Sequence, residues 1–202
     1  MQSGTVGHGE PVLVIPGLMS GDGSTSFLRR SLDAAGFVSS GLGGGYNARV
    51  TQESLAMVER QLDRVASASR QPVMVVGWSL GGLYARALAH RHPEKISLVV
   101  TLGTPFSGDR HANNAWRVYE FVNDHTVENP PFKEDLSIKP PVHTIAVWSP
   151  VDGVIAPECA CGQSDESDEQ VELPVTHLEM GSSRRAVGGI IDILARRSAG
   201  TG

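Results

Sequence analysis

The chain has 202 residues, 40% of them hydrophobic and 19% charged, a size and balance that suit one globular domain spanning residues 1–202 and would leave two domains cramped. With 17 Lys and Arg against 22 Asp and Glu, the formal charge is -5, which lacks the basic footprint that nucleic-acid or anionic-membrane binding requires. The two cysteines, Cys159 and Cys161, are too few for a disulfide framework and have no second ligand pair for zinc, so they read as free thiols in a loop.

In chain order, residues 1–10 are polar and Gly-rich, with no basic n-region and no apolar h-region, and read as a flexible lead. No apolar run approaches the roughly 18 residues that a membrane span needs, so no integral membrane segment is expected. The default location is then the cytoplasm, with a secreted mature form as the alternative.

Val12 to Ile15 is a short apolar run between Pro11 and Pro16-Gly17, the pattern of a strand buried on both faces. Helical spacing follows over Ser26 to Ala35 and over Ser54 to Ala66, where Leu55, Val58, Leu62 and Val65 share one face. Between them, Gly41-Leu42-Gly43-Gly44-Gly45 hints at a phosphate loop, but Tyr46 stands where Gly-x-Gly-x-x-Gly needs its last glycine and no Gly-Lys-Ser/Thr follows. It reads as a flexible loop.

Further apolar runs cover Val73 to Val76, Leu98 to Leu102 and Thr144 to Trp148, and a β-prone run covers Val171 to Val175. Helical patterns cover Leu80 to His90 and Arg184 to Arg197, and residues 198–202 read as a frayed end. Ser107 to Pro141 is irregular, with a helix pattern over Ala115 to Val122, while Gln163 to Gln170 reads as a solvated acidic loop. Strands alternating with helices predict an α/β fold with a mainly parallel sheet covered on both faces, because parallel neighbours need long crossovers. Ligands of such sheets lie beyond the carboxyl ends of the strands, where the chemistry is sought.

The run Val73 to Val76 leads into Gly77-Trp78-Ser79-Leu80-Gly81-Gly82 and then a helix. A bare Gly-x-Ser-x-Gly arises by chance in about one chain of this length in ten. Its strand and helix flanks identify a nucleophile elbow, in which a strained turn lifts the serine above the sheet while small neighbours let strand and helix close up. Ser79 is the candidate nucleophile and needs a base, itself oriented by an acid.

On this arrangement the expected chain order is Ser, acid, His. His8, His90, His92, His111, His125 and His143 fall outside that order or away from a strand end. His177 follows the run Val171 to Val175 and precedes the last helix, so it is the candidate base. Asp152, in a turn after Thr144 to Trp148, is the favoured acid, and an Asp-Gly pair is also an ordinary turn former. Asp109, one strand end earlier, is the competitor. Two backbone N–H groups should face the oxyanion, each worth roughly 3 kcal/mol: that of Leu80, and that of Leu18 in the loop after the first strand, since Pro16 has none. Met19, Phe106, Val154, Ile155 and Leu178 adjoin these positions and are candidates for an apolar acyl site, although core residues would look the same. No histidine-glutamate cluster has metal spacing, and neither a metal nor a cofactor is expected.

Through Val12-Leu13-Val14-Ile15-Pro16-Gly17, the elbow, Thr101-Leu102-Gly103-Thr104-Pro105, Asp152-Gly153-Val154-Ile155 and Thr176-His177, the chain resembles small bacterial esterases and lipases of the α/β-hydrolase superfamily. Many relatives have His-Gly where this chain has Pro16-Gly17, and His where it has Trp78. Both changes preserve backbone donation and bear on substrate preference. The resemblance implies a minimal, largely lidless version that starts at the third strand of the full fold. It also implies hydrolysis of a small-molecule or lipid ester through an acyl-enzyme, with acyl transfer or thioester cleavage by the same triad as the alternative. A non-catalytic binding protein is the remaining reading, and the intact Ser79, Asp152 and His177 argue against it. Oligomeric state is not legible.

Overall fold

The computed structural model describes residues 5–44, 46–47, 51–108 and 134–198. The elements run β1 (Pro11–Ile15), β2 (Ser20–Gly21), α1 (Ser26–Ala34), β3 (Val38–Ser40), β4 (Tyr46–Asn47), α2 (Gln52–Ser69), β5 (Val73–Trp78), α3 (Leu80–Arg91), β6 (Ile96–Leu102), β7 (His143–Trp148), α4 (Pro157–Cys161), β8 (Glu169–Glu172) and α5 (Arg184–Ser198). Among the described residues the main sheet has six strands in the order β3-β1-β5-β6-β7-β8, and all of its neighbours are parallel. β2 and β4 form a separate antiparallel pair.

Alternation along the strands divides the core in two. Leu13, Ile15, Val73, Val75 and Val99 face α2 and α3. Val12, Val14, Met74, Val76 and Val100 face α1 and α5 on the opposite side. Burial on both faces explains why these strands are continuous apolar runs. α2 extends beyond its apolar stripe at both ends: Thr51 caps its start, its hydroxyl accepting the Ser54 N–H at 3.0 Å, and Arg70 ends it in the left-handed region at φ 55°.

Four expectations need correction. The last strand is Glu169–Glu172 and not Val171 to Val175, because its register against β7 ends at the Trp148↔Glu172 pair, where β7 turns into Ser149-Pro150 and offers no further ladder. Its first two residues come from the expected acidic loop. Cys159 and Cys161 are free thiols, but they lie on α4 and not in a loop. Pro157 and Glu158 supply that short helix with a pre-set first turn. Residues 6–9 are not a loose lead, since Val6, Gly7 and Gly9 donate backbone N–H groups to the Ala35 and Gly36 carbonyls at 2.8 to 3.0 Å. Asp109, His111, His125 and the pattern over 115–122 lie outside the described residues, as do residues 1–4 and 199–202.

Among the described residues there is no cap domain, and no helix is long and apolar enough to cross a membrane. From β1 the chain adds β3 on one side and then crosses to β5 on the other. In open sheets of this kind such a reversal marks where ligands bind, here beyond the carboxyl ends of β1 and β5. The Ile15↔Gly77 register brings the loop after β1 beside the turn after β5.

Candidate active site

Ser79 joins β5 to α3 with φ 53° and ψ -121°, a left-handed φ that non-glycine residues rarely adopt. Packing holds it there. The Ser79 N–H donates to the Leu102 carbonyl at 2.8 Å, and the Ser79 carbonyl accepts from Gly82 N–H and from the Thr104 hydroxyl, both at 3.0 Å. A Cβ at Gly77 would strike the Gly81 backbone, and one at Gly81 would strike the Ile15 carbonyl. Those glycines therefore set how closely β5, α3 and β1 approach. Ser79 is partly exposed.

His177 opens a short 3-10 turn after β8. Its Nδ1 lies 2.9 Å from Asp152 Oδ2, and its backbone N–H donates to the Asp152 carbonyl at 2.9 Å. Both residues are buried, at 6% and 4% exposure, so this pair is little screened by water. The other carboxylate oxygen of Asp152 accepts the backbone N–H groups of Val154 at 3.0 Å and Ile155 at 2.6 Å. Those bonds fix the carboxylate and leave Oδ2 aimed at the imidazole. Gly103, at the end of β6, makes room for the pair, since a Cβ there would lie 2.9 Å from Asp152 Oδ2 and 3.1 Å from His177 Nδ1.

Trp78 ties this pair to the elbow. Its indole Nε1–H donates to the His177 carbonyl at 3.1 Å, and the two rings sit 5.9 Å apart between centroids. Beyond His177, the Thr176 N–H and hydroxyl both donate to the Glu179 carboxylate, at 2.8 and 2.7 Å. These bonds, the Thr176 backbone N–H first, hold the Glu179 carboxyl below its usual range.

Gly17 faces the same point from β1, where an added Cβ would come within 3.3 Å of Ser79 Cβ. Leu18 and Leu80 flank that contact on the two loops. Among the described residues neither of their backbone N–H groups forms a hydrogen bond. For Leu80 this follows from its place at a helix start, where donors have no partner within the helix.

The candidates for an acyl lining separate into two groups. Met19, Val154 and Leu178 are exposed on three loops at the carboxyl ends of the strands. Phe106 and Ile155 are buried: Ile155 packs with Cys159 and Ala160, and the Phe106 ring covers the Arg86 guanidinium at 4.1 Å.

Arg86 itself is a feature that sequence reasoning missed. It is fully buried on α3. Its Nε donates to the Leu136 carbonyl at 2.6 Å, and its Nη2 donates to the carbonyls of Ser137, Ile138 and Glu166 at 2.9 to 3.1 Å. Burial lowers its pKa to about 10, against the pull of Glu166 and Asp135, so it stays charged at neutral pH. The charge gathers carbonyls from two loops beside the turn that carries Phe106. The only trace in the sequence is an arginine close to the apolar stripe of a helix, a signal that ordinarily means a solvated edge.

Comparison with known proteins agrees with this architecture. The alpha/beta hydrolase fold family matches residues 19–136. A stretch of 62 residues is 39% identical to the biotin biosynthesis bifunctional protein BioHC of Teredinibacter turnerae, covering 31% of this chain and 10% of that protein. A stretch of 45 residues is 49% identical to the pimeloyl-(acyl-carrier protein) methyl ester esterase of Neisseria meningitidis, covering 22% of this chain and 18% of that one. The matches thus span under a fifth of either relative. The solved monoacylglycerol lipase of Paleococcus ferrophilus superposes with a TM-score of 0.68 at 16% identity, over 95% of this chain and 97% of the other, a likeness of fold. With the family matched over more than half of its length and the six-stranded parallel sheet in place, the chain belongs to the alpha/beta hydrolase fold family.

Proposed function

We propose that the protein is a serine hydrolase of carboxylic esters. The observation that carries this reading is the buried His177–Asp152 pair at 2.9 Å, tied through Trp78 to the strained residue next to it, Ser79. The partial identity to a methyl ester esterase supports the ester class.

In the proposed reaction Ser79 Oγ attacks the acyl carbon while His177 Nε2 takes its proton. Asp152 accepts the Nδ1–H, which selects the tautomer with a free Nε2 and stabilises the imidazolium. The Leu18 and Leu80 N–H groups receive the charge that develops on the carbonyl oxygen. His177 returns the proton to the departing alcohol, and water then repeats the sequence on the acyl-enzyme to release the acid. Ester and water are the only reactants consumed. Met19, Val154 and Leu178 form the apolar rim that a small-molecule or lipid ester meets first.

Fluorophosphonate labelling, with p-nitrophenyl esters of increasing acyl length, tests the reading on wild type and Ser79→Ala. We expect labelling and turnover in the wild type, both lost in Ser79→Ala. A folded wild type that takes no label at Ser79 overturns the reading. Acyl transfer to added alcohols that outruns hydrolysis would replace esterase with acyltransferase.

A further inference from the structure

The glycine-rich run that the sequence leaves without a role closes on a side chain from the loop opposite. Asp22 follows β2, and its Oδ1 accepts the Leu42 N–H at 2.7 Å while its Oδ2 accepts the Gly44 N–H at 3.0 Å. Backbone amides converging on an anion are what such runs offer to phosphates. Here the anion is a carboxylate of the same chain. Gly41 has no side chain where that carboxylate arrives, and a Cβ there would collide with it.

Both sides of this contact are anchored. The Gly41 carbonyl accepts the buried Gln61 amide at 2.7 Å, and Gln61 in turn accepts Arg64 Nη1 at 2.6 Å, which ties the glycine run to α2. On the other side, Ser20 and Gly21 pair with Asn47 and Tyr46, and Arg29 Nη2 donates to the Asp22 carbonyl at 2.8 Å. The Ser20 hydroxyl reaches back to the Gly17 carbonyl at 2.8 Å. Met19, between Leu18 and this anchored pair, has φ 54°. A residue with a side chain stays in that region only where its surroundings hold it.

We infer that Asp22 and the 41–44 loop form a clasp that positions the loop carrying the Leu18 N–H. The inference rests on the serine hydrolase reading, in which that N–H receives the oxyanion. Asp22 touches no substrate and is a positioning residue. Its effect falls on the transition state, because a fixed donor must meet the oxygen where charge appears, and a displacement of about 1 Å costs up to about 100-fold.

The test compares wild type with Asp22→Ala and Gly41→Ala, two changes that open the clasp from opposite sides. Hydrolysis of p-nitrophenyl acetate gives kcat and KM separately, its pH profile is recorded, and a trifluoromethyl ketone reports binding of an oxyanion mimic. We expect kcat to fall about 10- to 100-fold in both variants, with KM within about two-fold. The ketone should weaken in proportion to kcat, and the inflections of the pH profile should stay in place because the His177–Asp152 pair is untouched. Asp22→Asn keeps one acceptor for Leu42 but turns a second donor on Gly44, so its loss should be intermediate. It also covers the case in which the alanine variants fail to fold, as thermal melts would show. Folded variants with wild-type kcat, or with a shifted pH profile, overturn the clasp while the wild type remains a labelled, active esterase. A wild type that is neither labelled nor active overturns the serine hydrolase reading and the clasp with it.

Discussion

The indole N–H of Trp78 donates to the backbone carbonyl of His177 at 3.1 Å, across 99 positions of sequence. The bond joins the residue before the proposed nucleophile to the proposed base. Trp78→Phe keeps a ring and removes the donor. We expect kcat on p-nitrophenyl esters to fall about 10-fold, and stability in urea to drop by about 1 kcal/mol. Unchanged kcat would show that the bond does not position His177.

Asp152 holds His177 through one oxygen and its own turn through the other. Asp152→Asn preserves the shape and removes the charge that selects the imidazole tautomer. Turnover should fall by about 1,000- to 10,000-fold, while circular dichroism stays that of the wild type. A loss below 10-fold would point to another acid, and Asp109 is the residue to examine next.

Arg86→Met would remove the guanidinium's hydrogen bonds to four backbone carbonyls, of which Ile138 keeps His90 Nε2 and Glu166 keeps the Ser167 hydroxyl. Denaturant unfolding should show a loss of at least about 3 kcal/mol. Arg86→Lys should recover only part of it, because an ammonium cannot span the same carbonyls as a planar guanidinium. Full recovery by lysine would mean that charge alone matters at this site.

Partial burial by itself would raise the pKa of Asp168, but hydrogen bonds from Lys139 Nζ at 2.5 Å and Thr144 N–H at 2.9 Å outweigh it and hold the pKa below the usual aspartate value. A carboxyl whose folded pKa is depressed stabilises the fold above its unfolded value, about 3.9, and loses that contribution as pH falls through the folded value. Asp168→Asn should therefore lower Tm at pH 7, and the difference from wild type should narrow below about pH 4. A difference that is the same at both pH values would rule out the ionic contribution.

The elements legible in the sequence are those whose burial is written into their residue pattern. β1, β5, β6 and β7 are buried on both faces and appear as apolar runs, and α2 and α5 show a 3.6-residue stripe. β2, β3 and β4 are two or three residues long, Ser-Gly, Val-Ser-Ser and Tyr-Asn, too short to show an apolar run or an alternation. Their pairing depends on what the rest of the chain places beside them, which no local pattern encodes. The site divides the same way. Ser79 and Asp152 each follow a legible strand, His177 follows one that the structure moves to Glu169–Glu172, and the structure does bring Asp152 and His177 together. Asp22 sits in an Asp-Gly pair that reads as an ordinary turn, and Arg86 is polar in sequence but buried in space. Both are defined by partners at least 20 positions away.

Among the described residues the main sheet has β3 at one edge and β8 at the other. An open edge is a template for a second chain. β8 spans four residues with a glutamate at each end, Glu169 and Glu172. If two copies aligned these edges antiparallel, Glu169 of each would fall opposite Glu172 of the other, and like charges directly across a ladder repel. The strand that leads the chain to His177 thus also discourages the sheet from growing into a fibre through that edge.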